Sequence, residues 1–183
     1  MTPAEATIEA TIEELFGARI AKEVPEVAGR ALAAEVRERT ARTGYTRYAL
    51  YDRGSYDVCA APDEPALLGA LAALAMKETG RELHVVEARV LRLRAGDYLL
   101  AHHDVLRARN PVEVMLELSP RGVPGAEVHY RRRGQVYFAC GGTPGAASIV
   151  ERGPSVSCNH TYVSRQYPDA EIVRLIALLT EPA

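Results

Sequence analysis

At 183 residues, with 48% apolar and 25% charged residues and a formal net charge of −2, the chain can build one ordinary core and has little reason to bind a polyanion. Its longest apolar runs, such as Ile172 to Leu179 around Arg174, are too short to cross a bilayer, and Met1-Thr2-Pro3-Ala4-Glu5 has neither the basic nor the apolar stretch of a secretory leader. Cys59, Cys140 and Cys158, an odd count without a CxxC pair, argue against a disulfide framework and structural zinc and fit a reducing cytoplasm.

The first 80 residues read as mainly helical. Thr2-Pro3-Ala4-Glu5 is a capping-box start, followed by Ile8, Ile12, Leu15 and Phe16 on one helical face. Pro25 opens a second predicted helix with Ala28, Leu32 and Val36 on one stripe, ending near Gly44. Asp63-Glu64-Pro65 opens a third, which carries Leu67, Leu68, Leu71, Leu74 and Ala75 and closes at Gly80. Between the last two, Tyr45 to Tyr51 reads as a strand.

From Leu83 the period changes to that of strands. Val86, Ala88 and Val90 alternate with charges, then the phase slips to Leu91 and Leu93, as a bulge would produce. Val112, Val114, Leu116 and Leu118 alternate with Glu113 and Glu117. Further strand-like runs are 126–131, 135–140, 146–151, 156–163 and 172–179, separated by turns such as Arg133-Gly134 and Gly141 to Gly145. The expectation is a mainly β single domain over 1–183: an antiparallel jelly roll over roughly 83–180, with N-terminal helices over roughly 1–80 as a supporting layer. That layer is also a candidate homodimer surface.

The chemistry concentrates in Gly96-Asp97-Tyr98-Leu99-Leu100-Ala101-His102-His103-Asp104. On an extended strand His102 and Asp104 share a face and His103 points away. A third metal ligand must come from elsewhere in the chain, from His84, His129 or His160, and His160 lies in a predicted strand. Two histidines and one carboxylate on one face of a metal leave positions open, as in non-haem iron(II) oxygenases. Arg174, alone inside an apolar strand, needs a partner: an acidic side chain, or the carboxylate of a bound acid held by its guanidinium fork. Arg131-Arg132-Arg133 reads as a solvated hairpin end, Cys158 as a small buried side chain, and His84 and His129 as surface or structural groups.

These blocks resemble the iron(II)- and 2-oxoglutarate-dependent dioxygenases, in particular their prolyl-hydroxylase-like branch. Gly96, Asp97, Tyr98, His102 and Asp104 match the first motif, Pro124-Gly125-Ala126-Glu127-Val128 is similar to a glycine-rich segment, His160 matches the distal ligand, and Arg174 matches the cosubstrate arginine. The resemblance implies a double-stranded β-helix with iron(II) held by His102, Asp104 and His160, and 2-oxoglutarate held by Arg174. Leu93 and Ile176 stand where many relatives carry tyrosine and serine. Arg174 lies fourteen positions after His160, with Pro168 and Asp169 marking an extended turn, so Arg165 is a rival for the carboxylate. The implied reaction decarboxylates 2-oxoglutarate to succinate while a substrate is oxidised, and an intact Asp104 favours hydroxylation over halogenation. The expected substrate is a small carboxylate-bearing molecule such as an amino acid, anchored by Arg107 and Arg109 in the loop after Asp104. Alternatives are a peptidyl-residue hydroxylase, a non-enzymatic metal- or acid-binding sensor, and a cupin-like isomerase or hydrolase. Neither nucleic acid nor a membrane is an expected partner.

Overall fold

A strand buried on both faces reads as a nearly unbroken apolar run, and Ile172 to Leu179 is the clearest case in this protein. The computed structural model describes residues 20–60, 64–102, 112–153 and 155–182, with His102 described by its backbone alone. The helix expected around Ile8 to Phe16 lies outside these residues.

The elements run β1 Ala21–Val24, α1 Arg30–Thr43, β2 Thr46–Leu50, β3 Gly54–Ala60, α2 Pro65–Thr79, β4 His84–Arg94, β5 Tyr98–His102, β6 Val112–Glu117, β7 Val128–Arg132, β8 Gln135–Cys140, β9 Ala147–Glu151, β10 Val156–His160 and β11 Glu171–Thr180. Strand order is β1-β9-β6-β11-β4-β3-β5-β10-β7-β8, with β2 on β3. The β9-β6-β11-β4 half faces the β5-β10-β7-β8 half, and β3 bridges them by pairing with β4 and then with β5. This is a double-stranded β-helix, the jelly roll expected from the sequence.

Each side of β4, β6, β9 and β11 feeds a different core. Val90, Val114, Leu116, Ile149, Val173 and Leu175 pack outward against Ala33, Val36, Leu71 and Ala75 of the two helices. Leu91, Leu93, Met115, Val150, Ile172 and Ile176 pack inward with Val128, Tyr130 and Cys158. Each large aliphatic side chain so buried contributes about 1.5–3 kcal/mol. Double-sided burial also corrects the expected bulge. Val90 and Leu91 pair with consecutive residues, Leu175 and Arg174, so the strand does not slip there. The shift lies between Leu178, opposite Glu87, and Leu179, opposite Val85.

The helices depart from expectation at one end. Pro25 sits in a turn after β1, a strand that the sequence did not signal, and α1 starts five residues later. Ala33, Val36 and Thr40 of α1 are buried while Leu32 is exposed, so the stripe is rotated from the expected one. α2 begins at Pro65 as expected, and the Gly80 N–H closes it on the Met76 carbonyl at 2.9 Å.

The β3 bridge needs Gly54. Its φ is +106°, and a Cβ there would stand 2.3 Å from the Tyr98 carbonyl oxygen. Charged groups fasten the same corner. Arg92 reaches buried Asp57 at 2.7 and 2.9 Å, and Asp97 accepts from Arg47 at 2.5 and 2.7 Å, from Ser55 at 2.8 Å and from the Arg94 N–H at 2.9 Å.

Candidate functional site

The Gly96 turn and the Asp97 clamp set where β5 starts, and β5 ends at His102. Its neighbour β10 carries His160. The register across this pair sets Cys158 opposite His102 and His160 opposite Leu99, with a shift between them. His160 is therefore displaced from His102 by three residues, about 10 Å along the strand. Asp104, Arg107 and Arg109 lie outside the described residues. Among the described residues, no group of three His, Cys, Asp or Glu side chains converges to hold a metal.

His160 is buried, and its Nδ1 accepts a hydrogen bond from Arg174 NH1 at 2.9 Å. The remaining Arg174 nitrogens are also committed. Nε donates to Glu117 Oε2 at 2.9 Å, and NH2 donates to the Ala126 carbonyl at 2.6 Å. Glu117 stands directly opposite Arg174 on β6 and takes a further short hydrogen bond from the Ser119 hydroxyl. The acidic partner is thus the one that the arginine has in the described fold. Arg174 and His160 come together; Arg165 lies on an exposed turn against Gly96, away from both. The glycine run at Gly141 does more than turn the chain. Gly141 has φ +99°, and a Cβ there would fall 2.8 Å from Arg174 NH2.

Imidazole and carboxylate are donors that iron(II) accepts, so the residue types of the expected ligand set fit the metal. In the described arrangement His160 Nδ1 is engaged by Arg174. With Nδ1 accepting from Arg174, a neutral ring keeps its proton on Nε2. Ligation through Nδ1 requires the Arg174 bond to open, and ligation through Nε2 requires that proton to leave.

A cavity of about 270 Å³ enters the barrel beside these groups. His160, Cys158 and Glu113 line it, as do Tyr48, Arg53 and Tyr56 of the β2–β3 hairpin and Arg89 of β4. Burial alone would raise the Glu113 pKa. The charge and hydrogen bond of Arg152 at 2.7 Å, with the Tyr130 hydroxyl at 2.8 Å, outweigh it and hold the carboxylate below its ordinary value. Burial pushes the Cys158 thiol up to about 11. All three cysteines are free and buried. The sequence reading missed Arg53, Arg89, Tyr56 and Glu113. Arg89 and Glu113 alternate with apolar residues and so read as solvent-facing. The apolar neighbours instead face the helices, which turns these charges into the barrel. His129 is half-buried against Glu127 at 2.9 Å, and His84 is exposed.

No family model matches the sequence, and no curated protein matches it. Solved structures do match. A 2OG-Fe(II) oxygenase family oxidoreductase from Burkholderia pseudomallei aligns with TM-score 0.68 over 96% of this chain and 90% of its own, at 14% identity. The fold is that of the 2-oxoglutarate- and iron(II)-dependent oxygenases. A Pseudomonas putida prolyl-4-hydroxylase aligns with TM-score 0.63 over 96% of this chain and 98% of its own, at 16% identity. HygX from Streptomyces hygroscopicus, with nickel, 2-oxoglutarate and hygromycin B bound, aligns with TM-score 0.60 over 99% of this chain and 88% of its own, at 12% identity. No helix among the described residues is long and apolar enough to cross a membrane.

Proposed function

We propose that this protein is an iron(II)- and 2-oxoglutarate-dependent dioxygenase that hydroxylates a small carboxylate-bearing molecule. The observation that carries the reading is the two-sheet strand order of the oxygenase fold, with His102 ending β5, His160 on adjacent β10, and an interior cavity lined by His160 and by Leu99 of β5. Iron(II) and 2-oxoglutarate, when bound, would let dioxygen act as the oxidant, one oxygen atom going to succinate as carbon dioxide is lost and the other into a substrate C–H bond. His102, Asp104 and His160 are the proposed ligands, which requires His160 to exchange its contact with Arg174. Arg174 is the proposed partner of the cosubstrate's distal carboxylate, which requires it to leave Glu117. The cavity size favours a small substrate, since ligand pockets typically span about 300–1,000 Å³.

A peptidyl substrate is the second reading. It is favoured by Tyr48, Leu50 and Tyr51, exposed on the hairpin that borders the cavity. Anaerobic titration with iron(II) and 2-oxoglutarate, watched for a weak visible charge-transfer band, tests the cofactor pair. Incubation with oxygen and panels of small acids and peptides, followed by succinate release and a product heavier by one oxygen atom, tests the reaction. Succinate release with peptides and none with free acids would move the assignment to the peptidyl reading. No band and no succinate would reject the dioxygenase reading.

A further inference from the structure

We propose that Arg53 and Arg89, with the Tyr56 phenol beside them, form an anchor in the interior cavity for the carboxylate of a small organic acid. The inference deepens the small-acid reading above and rests on it for the fate of the ligand, though not for its binding.

The barrel holds other arginines, but their hydrogen bonds are committed. Arg174 gives all three nitrogens to Glu117, His160 and Ala126. Arg152 spends both terminal nitrogens on Glu113 and the Val156 carbonyl, and only its buried Nε is left without a partner among the described residues. Arg53 and Arg89 differ. Their ion pairs among the described residues are to Asp52 at 3.9 Å and Glu87 at 3.4 Å, both close in sequence and both exposed. Such pairs contribute about 0–1 kcal/mol, so an acid entering the cavity meets little competition. Glu113 lines the same cavity; its carboxylate accepts from Arg152 and the Tyr130 hydroxyl, and the charge of Arg89 acts on it as well.

The two arginines come from different elements, the β2–β3 hairpin and β4, and line one cavity together with Tyr56. Burial pushes the Tyr56 phenol up, and the charges of Arg53 and Arg89 pull it back. Tyr48 stacks on Tyr56 with centroids 5.5 Å apart and holds the ring in place. A planar fork beside a hydroxyl is suited to a carboxylate. The remaining walls, Val58, Leu91, Leu99 and Ile176, are aliphatic and suit a short apolar body. The carboxylate could belong to the substrate or to 2-oxoglutarate, which share this chemistry.

The test is isothermal titration calorimetry of the metal-free protein with octanoate, its neutral isostere octanamide, and 2-oxoglutarate. Octanoate should bind about tenfold more tightly than octanamide, and Arg53→Gln or Arg89→Gln should each weaken it about tenfold. Arg89→Lys should recover part of the loss, and circular dichroism should show all variants folded, since both arginines are only half-buried. An arginine-dependent loss for octanoate assigns the anchor to the substrate; the same loss confined to 2-oxoglutarate assigns it to the cosubstrate. Unchanged affinity for both acids in the Arg53→Gln, Arg89→Gln double variant overturns the anchor. Absence of succinate release by the unaltered protein would reject the oxygenase reading and leave arginine-dependent binding standing.

Discussion

Arg174 joins two strands of opposite sheets: NH1 donates to His160 Nδ1 on β10 at 2.9 Å while Nε holds Glu117 Oε2 on β6 at 2.9 Å. Both charged partners are almost fully buried, so neither can turn to water when the other is removed. Arg174→Ala should therefore destabilise the fold by about 3–5 kcal/mol, measured by urea denaturation, because Glu117 is left as an uncompensated buried charge. The Glu117→Leu, Arg174→Leu double variant should lose less than the sum of the single changes. Additive losses would show that the pair is not coupled.

The same contact sets what a metal must displace. Alanine at His102, Asp104 or His160 should each lower iron(II) affinity by more than the about 10–100-fold seen for outer-shell changes, whereas His103→Ala should leave it unchanged. Metal titration under anaerobic conditions reads this directly. Undiminished affinity in His160→Ala would remove that residue from the ligand set and turn attention to Cys158, which stands opposite His102.

Asp97 is expected to set part of the acid limit of stability. Burial alone would raise its pKa; hydrogen bonds from Arg47, the Arg94 N–H and Ser55 outweigh it and hold it below the ordinary value. A depressed folded-state pKa means that this contribution is fully present above the unfolded value, about 3.9, and is lost as pH falls through the lower folded value. Asp97→Asn should cost about 1.5–3 kcal/mol near neutrality and flatten the stability profile below about pH 4. A variant with the unaltered acid profile would show that other carboxylates dominate that limb.

Gly54→Ala tests the bridge between the two halves. The added Cβ meets the Tyr98 carbonyl, and positive φ adds strain of about 1–3 kcal/mol before that clash is counted. A loss above about 2 kcal/mol in the thermal or urea midpoint is expected, with faster amide exchange in β3 and β5. Wild-type stability would mean that β3 can pair with β4 without switching to β5.

Much of the architecture was legible in the sequence because local physics controls it. Pro65 and Gly80 bracket α2, strand runs end at Gly and Pro turns, and the His102 and His160 motifs fall on β5 and β10, neighbours in the fold. The β1 strand and the true start of α1 were not legible, since four half-polar residues and a Pro25 that turns rather than caps carry no periodic signal.

What only the tertiary structure decided is which way charges face and which groups meet. Arg89, Glu113 and Glu117 have the alternation of solvent-facing residues, and the helices reverse that reading by covering the opposite face of β4 and β6. The sequence by itself determined that Arg174 needs a partner; placing Glu117 and His160 beside it took the register of β11 against β6 and the close approach allowed at Gly141. Periodicity specifies that a strand has two faces. The layer that covers each face is set by contacts between residues far apart in the chain.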